Sequence, residues 1–239
     1  MIIRTTRATS NLRMLEFVAS KLGQLKDSLV FLGGCATTLL ITDTAVPDVR
    51  YTLDVDCIVD VISLSQYHRL ERQLQKLGFN KSLQDDIICR WHYEDVILDV
   101  MPTDEKILGF GNCWYKEAIH HAMVHRLSED LTIHSVTAPY FLATKLEAFK
   151  GRGKGDFLGS HDFEDIVTVI DGRMEIEQEI ATADDSLKRY LSENFSTMLQ
   201  LPTFQAALPG HLSYGPMTKN RAELVWKRIQ RLAQYNKEQ

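Results

Sequence analysis

No apolar run in this sequence approaches the ~18–20 residues needed to cross a bilayer. The opening stretch MIIRTTRATSNLRMLEF has Arg and Thr where a secretory leader has its apolar centre, so a cytoplasmic, membrane-free protein is expected. Cysteine is scarce: Cys35, Cys57, Cys89 and Cys113 are widely spaced and form no CxxC pair. That argues against a zinc ribbon or a disulfide framework and fits reduced, mostly buried thiols. An excess of positive charge is also missing. The formal net charge of -5 gives no general pull towards nucleic acid, so an RNA ligand would need local basic patches. There is no internal repeat and no low-complexity tract. With 44% hydrophobic and 25% charged residues the chain has a globular composition, and 239 residues suit one large domain or a core with a smaller attached domain.

The periodicity predicts a helix over 11–25, with Ser10 or Asn11 as its cap. Ser28 to Leu32 reads as a short strand, ended by Gly33-Gly34, and Cys35 to Ile41 as a short helix before a loop around Pro47. Thr52 to Ile62 reads as a strand covered on both faces, because its apolar residues run almost without interruption. A helix from Ser65 turns Tyr67, Leu70, Leu74 and Leu77 inward and stops at Gly78. Ile87–Trp91 and Asp95–Val100 read as strands joined by a tight turn at His92–Glu94. A loop to Trp114 precedes an expected helix over Tyr115–Leu127, then a strand over Leu131–Val136. Pro139, tolerated in a first turn, opens a helix through Lys150. After the break GRGKGDFLGS, helices are expected at His161–Ile170, Glu175–Phe195 and Arg221–Asn236, with Leu201–Pro216 as an irregular link. Strands fall in the first half and helices in the second. The expected fold is therefore α+β: a small mixed sheet flanked by helices over residues 1–136, then a mainly helical region over 137–239 that contributes to the cleft.

Two residues apart on a strand, Asp54 and Asp56 project to one face. Adjacent carboxylates repel, and burying them is costly unless a cation compensates. Asp99, in the apolar strand ILDVMP, would make a third if the strands are neighbours. Three such carboxylates suit Mg²⁺, with Mn²⁺ as an alternative, since hard cations take oxygen ligands shared with phosphates. The plainer alternative is an Asp-x-Asp pair that only ends a strand beside a loop. Gly33-Gly34 follows a strand and opens a helix, the setting in which backbone N–H groups receive phosphate.

Gly33-Gly34, Asp54-x-Asp56 and Asp99 together resemble the signature of the nucleotidyltransferase superfamily, with the DNA polymerase β-like fold. TKLEAFKGRG followed by SHDFEDIV resembles the downstream Lys, Arg and Asp motifs of AbiEii-type nucleotidyltransferases, toxins of bacterial toxin–antitoxin and abortive-infection systems. The resemblance spans about residues 28 to 171. It implies that Asp54, Asp56 and Asp99 hold metal, and that Asp99 helps activate the acceptor hydroxyl. It further implies that Lys145 contacts the triphosphate, with Arg152 as a second phosphate contact, and that Asp162 or Asp165 is the late acidic residue. The implied substrate is a nucleoside triphosphate such as ATP, the implied acceptor the 3′ end of a tRNA or other RNA, and the implied partner a cognate antitoxin. Many superfamily members carry Gly-Ser where this chain has Gly33-Gly34; backbone N–H groups or the hydroxyls of Thr37 or Thr38 would then replace the serine.

Without the resemblance, Lys145 reads as a solvated lysine on the outside of its helix, and one of Asp162 and Asp165 as a helix cap. Ser160-His161-Asp162 is no triad, because consecutive residues cannot adopt that geometry. His121 and His125 lack the Glu of HExxH and read as surface or packing residues. GRGKGDFLGS lacks the order of a P-loop. Trp91, Trp114 and Trp226 could stack bases but are ordinary core residues otherwise. Two rivals stand beside an RNA-modifying enzyme: a small-molecule, antibiotic-type nucleotidyltransferase, mildly favoured by the acidic charge, and a catalytically idle binding module.

Overall fold

The computed structural model describes residues 7–43, 45, 49–82, 85–212 and 218–235. The loop around Pro47, and the expected positions of Pro216 and Asn236, lie outside them. The chain forms two compact units: Met1–Leu39 with Asp48–Thr137, and Leu40–Pro47 with Ala138–Gln239. The α+β class is as expected, a mixed sheet flanked by helices followed by a helical region. No helix among the described residues is long and apolar enough to cross a membrane.

In the first unit, helix α1 (Arg7–Leu22) runs into a 3-10 turn over Gly23–Ser28, strand β1 (Val30–Leu32) and helix α2 (Gly33–Leu40). Strand β2 (Asp54–Val59), helix α3 (Leu64–Lys76), strands β3 (Arg90–Tyr93) and β4 (Val96–Pro102), helix α4 (Tyr115–His120) and strands β5 (Met123–Arg126) and β6 (Thr132–Ser135) complete it. The described strands form one sheet in the order β3-β4-β2-β1-β6-β5. The pairs β2–β4 and β1–β6 are parallel, and the rest antiparallel.

Strand alternation sorts the side chains. Val55, Cys57 and Val59 of β2, Leu98 and Val100 of β4, Trp91 of β3 and Phe31 of β1 share one apolar cluster with Leu15, Val18 and Leu22 of α1 and Tyr67, Leu70 and Leu74 of α3. The intervening residues Asp54, Asp56, Asp99 and Arg90 therefore point to the opposite face. Ser63 caps α3 by accepting from the N–H of Gln66, and Gly78 (φ +92°) follows its end.

Several local expectations fail. Asn11 is no cap: it lies buried within α1, donates to the Arg50 carbonyl at 2.9 Å, and its Oδ1 accepts from the N–H of Thr52. The helix expected over Tyr115–Leu127 stops at His120, and Met123–Arg126 pairs with β6 instead. Cross-strand pairing outweighs the weak helical preference of four residues. Glu175–Phe195 splits into α7 (Ile176–Ala181) and α8 (Asp185–Leu199). Between them the Thr182 hydroxyl bonds back to the carbonyls of Gln178 and Glu179, and Asp184 accepts from the Tyr140 hydroxyl. Side chains of this type compete with the helix for backbone groups.

The second unit also contains α5 (Ala138–Arg152), α6 (His161–Gly172), α9 (Pro202–Ala207) and α10 (Thr218–Leu232). Phe149, Phe157, Phe163 and Phe204 form its aromatic centre, with ring centroids 4.9–5.7 Å apart. Residues 40–43 are fastened to the carboxyl end of α6. The Gly172 carbonyl accepts from the N–H groups of Thr42 and Asp43, both at 2.9 Å, and Arg173 donates to the Leu40 carbonyl. These bonds satisfy carbonyls that a helix end leaves open.

Candidate functional site

The register builds a carboxylate cluster on the polar face of the sheet. Parallel pairing sets Asp56 opposite Asp99, and Asp54 lies two residues before Asp56. One carboxylate oxygen from each of Asp54, Asp56 and Asp99 falls within 4.8 Å of the others. Asp54 and Asp56 are half-buried and Asp99 is buried. Three hard, anionic oxygen donors at this spacing match the ligand chemistry of Mg²⁺ or Mn²⁺ and not that of a soft metal.

A cation already stands at this cluster. Antiparallel pairing of β3 with β4 sets Arg90 opposite Asp99. Its Nε donates to Asp99 Oδ1 at 2.9 Å and its Nη2 to Oδ2 at 2.7 Å, a two-pronged pair. The same Nη2 lies 3.5 Å from Asp54 Oδ2. Asp99 in turn holds the Arg90 guanidinium above its already high pKa. Sequence reading missed Arg90 because it set a three-residue turn at His92–Glu94, a register that puts Ile87 opposite Asp99. The two-residue turn is Glu94-Asp95, with Glu94 at φ +51°, so that Tyr93 pairs with Val96 and Arg90 with Asp99. Thr52 was missed too. Its hydroxyl donates to Asp54 Oδ1, and its own N–H is tied to Asn11, so α1 fixes the entry to the carboxylate strand.

Gly33 opens α2 in the left-handed region, at φ +74°. Leu32, just before it, pairs with Asp56, which brings the glycine against that carboxylate. Gly34 is buried, and the Thr37 hydroxyl donates to the Gly33 carbonyl at 3.4 Å. Thr38 Oγ1 is buried with no hydrogen-bond partner among the described residues. Of the two hydroxyls expected to stand in for serine, Thr37 is thus already engaged. Burial raises the thiols of Cys35 and Cys57 well above the ordinary range, with the neighbouring carboxylates adding to it, which disfavours the thiolate form.

The downstream motif residues meet inside the second unit. Lys145 of α5 is only 7% exposed. Its Nζ lies 3.1 Å from Asp162 Oδ1 and 2.7 Å from Asp165 Oδ2, both buried, with Asp162 in the first turn of α6 and Asp165 just beyond it. Lys145 is therefore not a solvated surface lysine. Arg152 donates to both Asp162 oxygens, at 2.7 and 2.8 Å. Burial alone would raise the Asp162 carboxyl, but Arg152 and Lys145 together hold it down at about 2. Ser160 caps α6 through the Phe163 N–H, so neither Asp is the cap. His121 closes α4 and His125 lies on β5, so the two share no helix.

The chain matches no family model and no curated protein sequence. It is similar to a solved structure described as "Crystal structure of putative nucleotidyltransferase from H. pylori", with a TM-score of 0.46 and 10% identity over 97% of each chain.

Proposed function

We propose that this protein is a divalent-metal-dependent nucleotidyltransferase of the DNA polymerase β-like superfamily. In this reading it moves NMP from an NTP to an acceptor hydroxyl. The observation that carries the reading is the convergence of Asp54, Asp56 and Asp99 on one sheet face beside the left-handed Gly33. Asp54, Asp56 and Asp99 would hold the metal, which when bound neutralises phosphate charge and activates the attacking oxygen. The acceptor oxygen bonds to the α-phosphorus as the bond to pyrophosphate breaks, and Asp99 helps draw the proton from the hydroxyl. Gly33 and Gly34 let the backbone at the start of α2 approach the phosphates. Lys145 and Arg152 are the proposed triphosphate contacts, with Asp162 and Asp165 holding and orienting them until phosphate competes. Positioning and charge neutralisation would supply most of the acceleration.

The AbiEii-type motifs at Lys145–Arg152 and Asp162–Asp165 favour a toxin that modifies the 3′ end of a tRNA or other RNA and is restrained by an antitoxin. The net charge of -5 favours a small-molecule acceptor as the second reading. The deciding experiment incubates the protein with each labelled NTP, Mg²⁺ and either total tRNA or fractionated lysate. Transfer to a defined acceptor, lost in Asp54→Ala/Asp56→Ala, is the expected result. Equal labelling by both proteins would refute the mechanism, and label found only on small molecules would select the second reading.

A further inference from the structure

Arg90 is the one cation that the sheet register places on the carboxylate cluster among the described residues, and nothing in the nucleotidyltransferase reading requires it there. We propose that Arg90 is a built-in counter-cation which holds Asp99 while the site is free of divalent metal and releases it when the metal binds. The inference rests on the reading of Asp54, Asp56 and Asp99 as metal ligands.

Three observations support it. First, the guanidinium fork takes an oxygen lone pair on each side of Asp99, through Nε to Oδ1 at 2.9 Å and Nη2 to Oδ2 at 2.7 Å. A cation that coordinated Asp99 would compete for those same oxygens. Second, the Arg90 Nη2 sits 3.5 Å from Asp54 Oδ2, so one guanidinium spans two of the three carboxylates. A monocation placed so compensates the mutual repulsion of the acids and fixes Asp99 before any metal arrives. Third, the pairing is built into the fold, because Arg90 and Asp99 are directly opposed across β3 and β4. The Arg90 side chain is 18% exposed and the Asp99 side chain 9%, so water weakens the pair little.

The consequence is a site whose affinity for free Mg²⁺ is lowered by an internal competitor. Metal arriving with a triphosphate brings extra ligands and displaces Arg90 more readily than metal alone. The released guanidinium, with its fixed fork of donors, is then free to meet phosphate oxygens.

The test is Mn²⁺ binding to the nucleotide-free protein, followed by electron paramagnetic resonance of free Mn²⁺. Arg90→Gln should bind Mn²⁺ about tenfold more tightly than wild type, the scale of one charge-assisted hydrogen bond. Arg90→Lys, which keeps the charge but loses the fork, should fall between them. Unchanged or weaker binding by Arg90→Gln, in protein whose circular dichroism matches wild type, would overturn the inference. If that variant fails to fold, wild-type protein supplies the answer through the Arg90 Nε–H resonance on titration with Mg²⁺ and a non-hydrolysable NTP analogue. A shift with faster solvent exchange supports release, and an unmoved resonance at saturation refutes it. Asp54→Ala/Asp56→Ala separates the two levels. If Mn²⁺ binds that protein as well as wild type, the metal-site reading itself fails. If Mn²⁺ binding is lost there but untouched by Arg90→Gln, only the role of Arg90 fails.

Discussion

Gly33 and Asp56 are packed so closely that no side chain fits between them. A β-carbon on Gly33 would stand 1.8 Å from Asp56 Oδ2 and 2.6 Å from its carboxyl carbon. The backbone there, at φ +74°, is also one that side-chain-bearing residues adopt at a cost. Gly33→Ala should therefore destabilise the protein by about 2 kcal/mol or more, read by urea denaturation. It should also push Asp56 aside and weaken Mn²⁺ binding. Retained Mn²⁺ affinity in a folded Gly33→Ala protein would show that Asp56 is not a ligand.

Lys145 is the shared partner of two buried acids, so its removal strands negative charge. Lys145→Met is expected to cost about 3–5 kcal/mol, the range for a buried ion pair broken from one side. Adding Asp162→Asn and Asp165→Asn to Lys145→Met should recover much of that loss. A loss below about 1 kcal/mol in equilibrium unfolding would mean that the three groups are effectively solvated.

Asp162 makes stability depend on acid pH. Its folded-state pKa of about 2 lies below the ordinary 3.8. As pH falls, the unfolded chain takes up the proton first, so the stabilisation present above about pH 4 disappears towards pH 2. The difference between wild type and Asp162→Asn in unfolding free energy should carry an electrostatic part of about 2 kcal/mol at pH 6 that vanishes over this window. A pH-independent difference would assign the effect of the substitution to packing.

Arg221 donates through Nε to both oxygens of Asp171, and through Nη2 to Asp43 at 3.2 Å. Even so, burial wins at Asp171 and its carboxyl is raised. Arg221→Ala should cost about 3 kcal/mol in urea unfolding, and Asp171→Asn in that background should restore part of it. No recovery would place the loss in the Asp43 contact instead.

Legibility from sequence followed the range of the forces concerned. Period-two alternation was enough to place Asp54 and Asp56 on one face, and the apolar flanks of Asp99 were enough to put it on a strand. The adjacency of the two strands, which unites the three acids, comes from a parallel pairing across some forty residues that no local pattern states. Arg90 was closer to reach. A turn placed at Glu94-Asp95 leads by counting alone to its partner Asp99, whereas a turn at His92–Glu94 puts Ile87 there and hides it. The ion pairing of Lys145 was out of reach, since the same helical spacing serves a phosphate contact, a surface lysine or a buried pair. β5 was missed because the four residues MVHR carry no strong preference, although its partner β6 follows directly in a hairpin.

The fastening of residues 40–43 onto α6 also has a consequence for the order of synthesis. Thr42 donates to Glu175, which lies 133 positions later in the chain. On the ribosome this segment is made long before the helix end that receives it exists. Both compact units are discontinuous, so neither can be excised with a single cut. A fragment stopped at Thr137 would carry Thr42 and Asp43 with their acceptor at Gly172 missing. Synthesis must pass Glu175 before residues 40–43 are tied down.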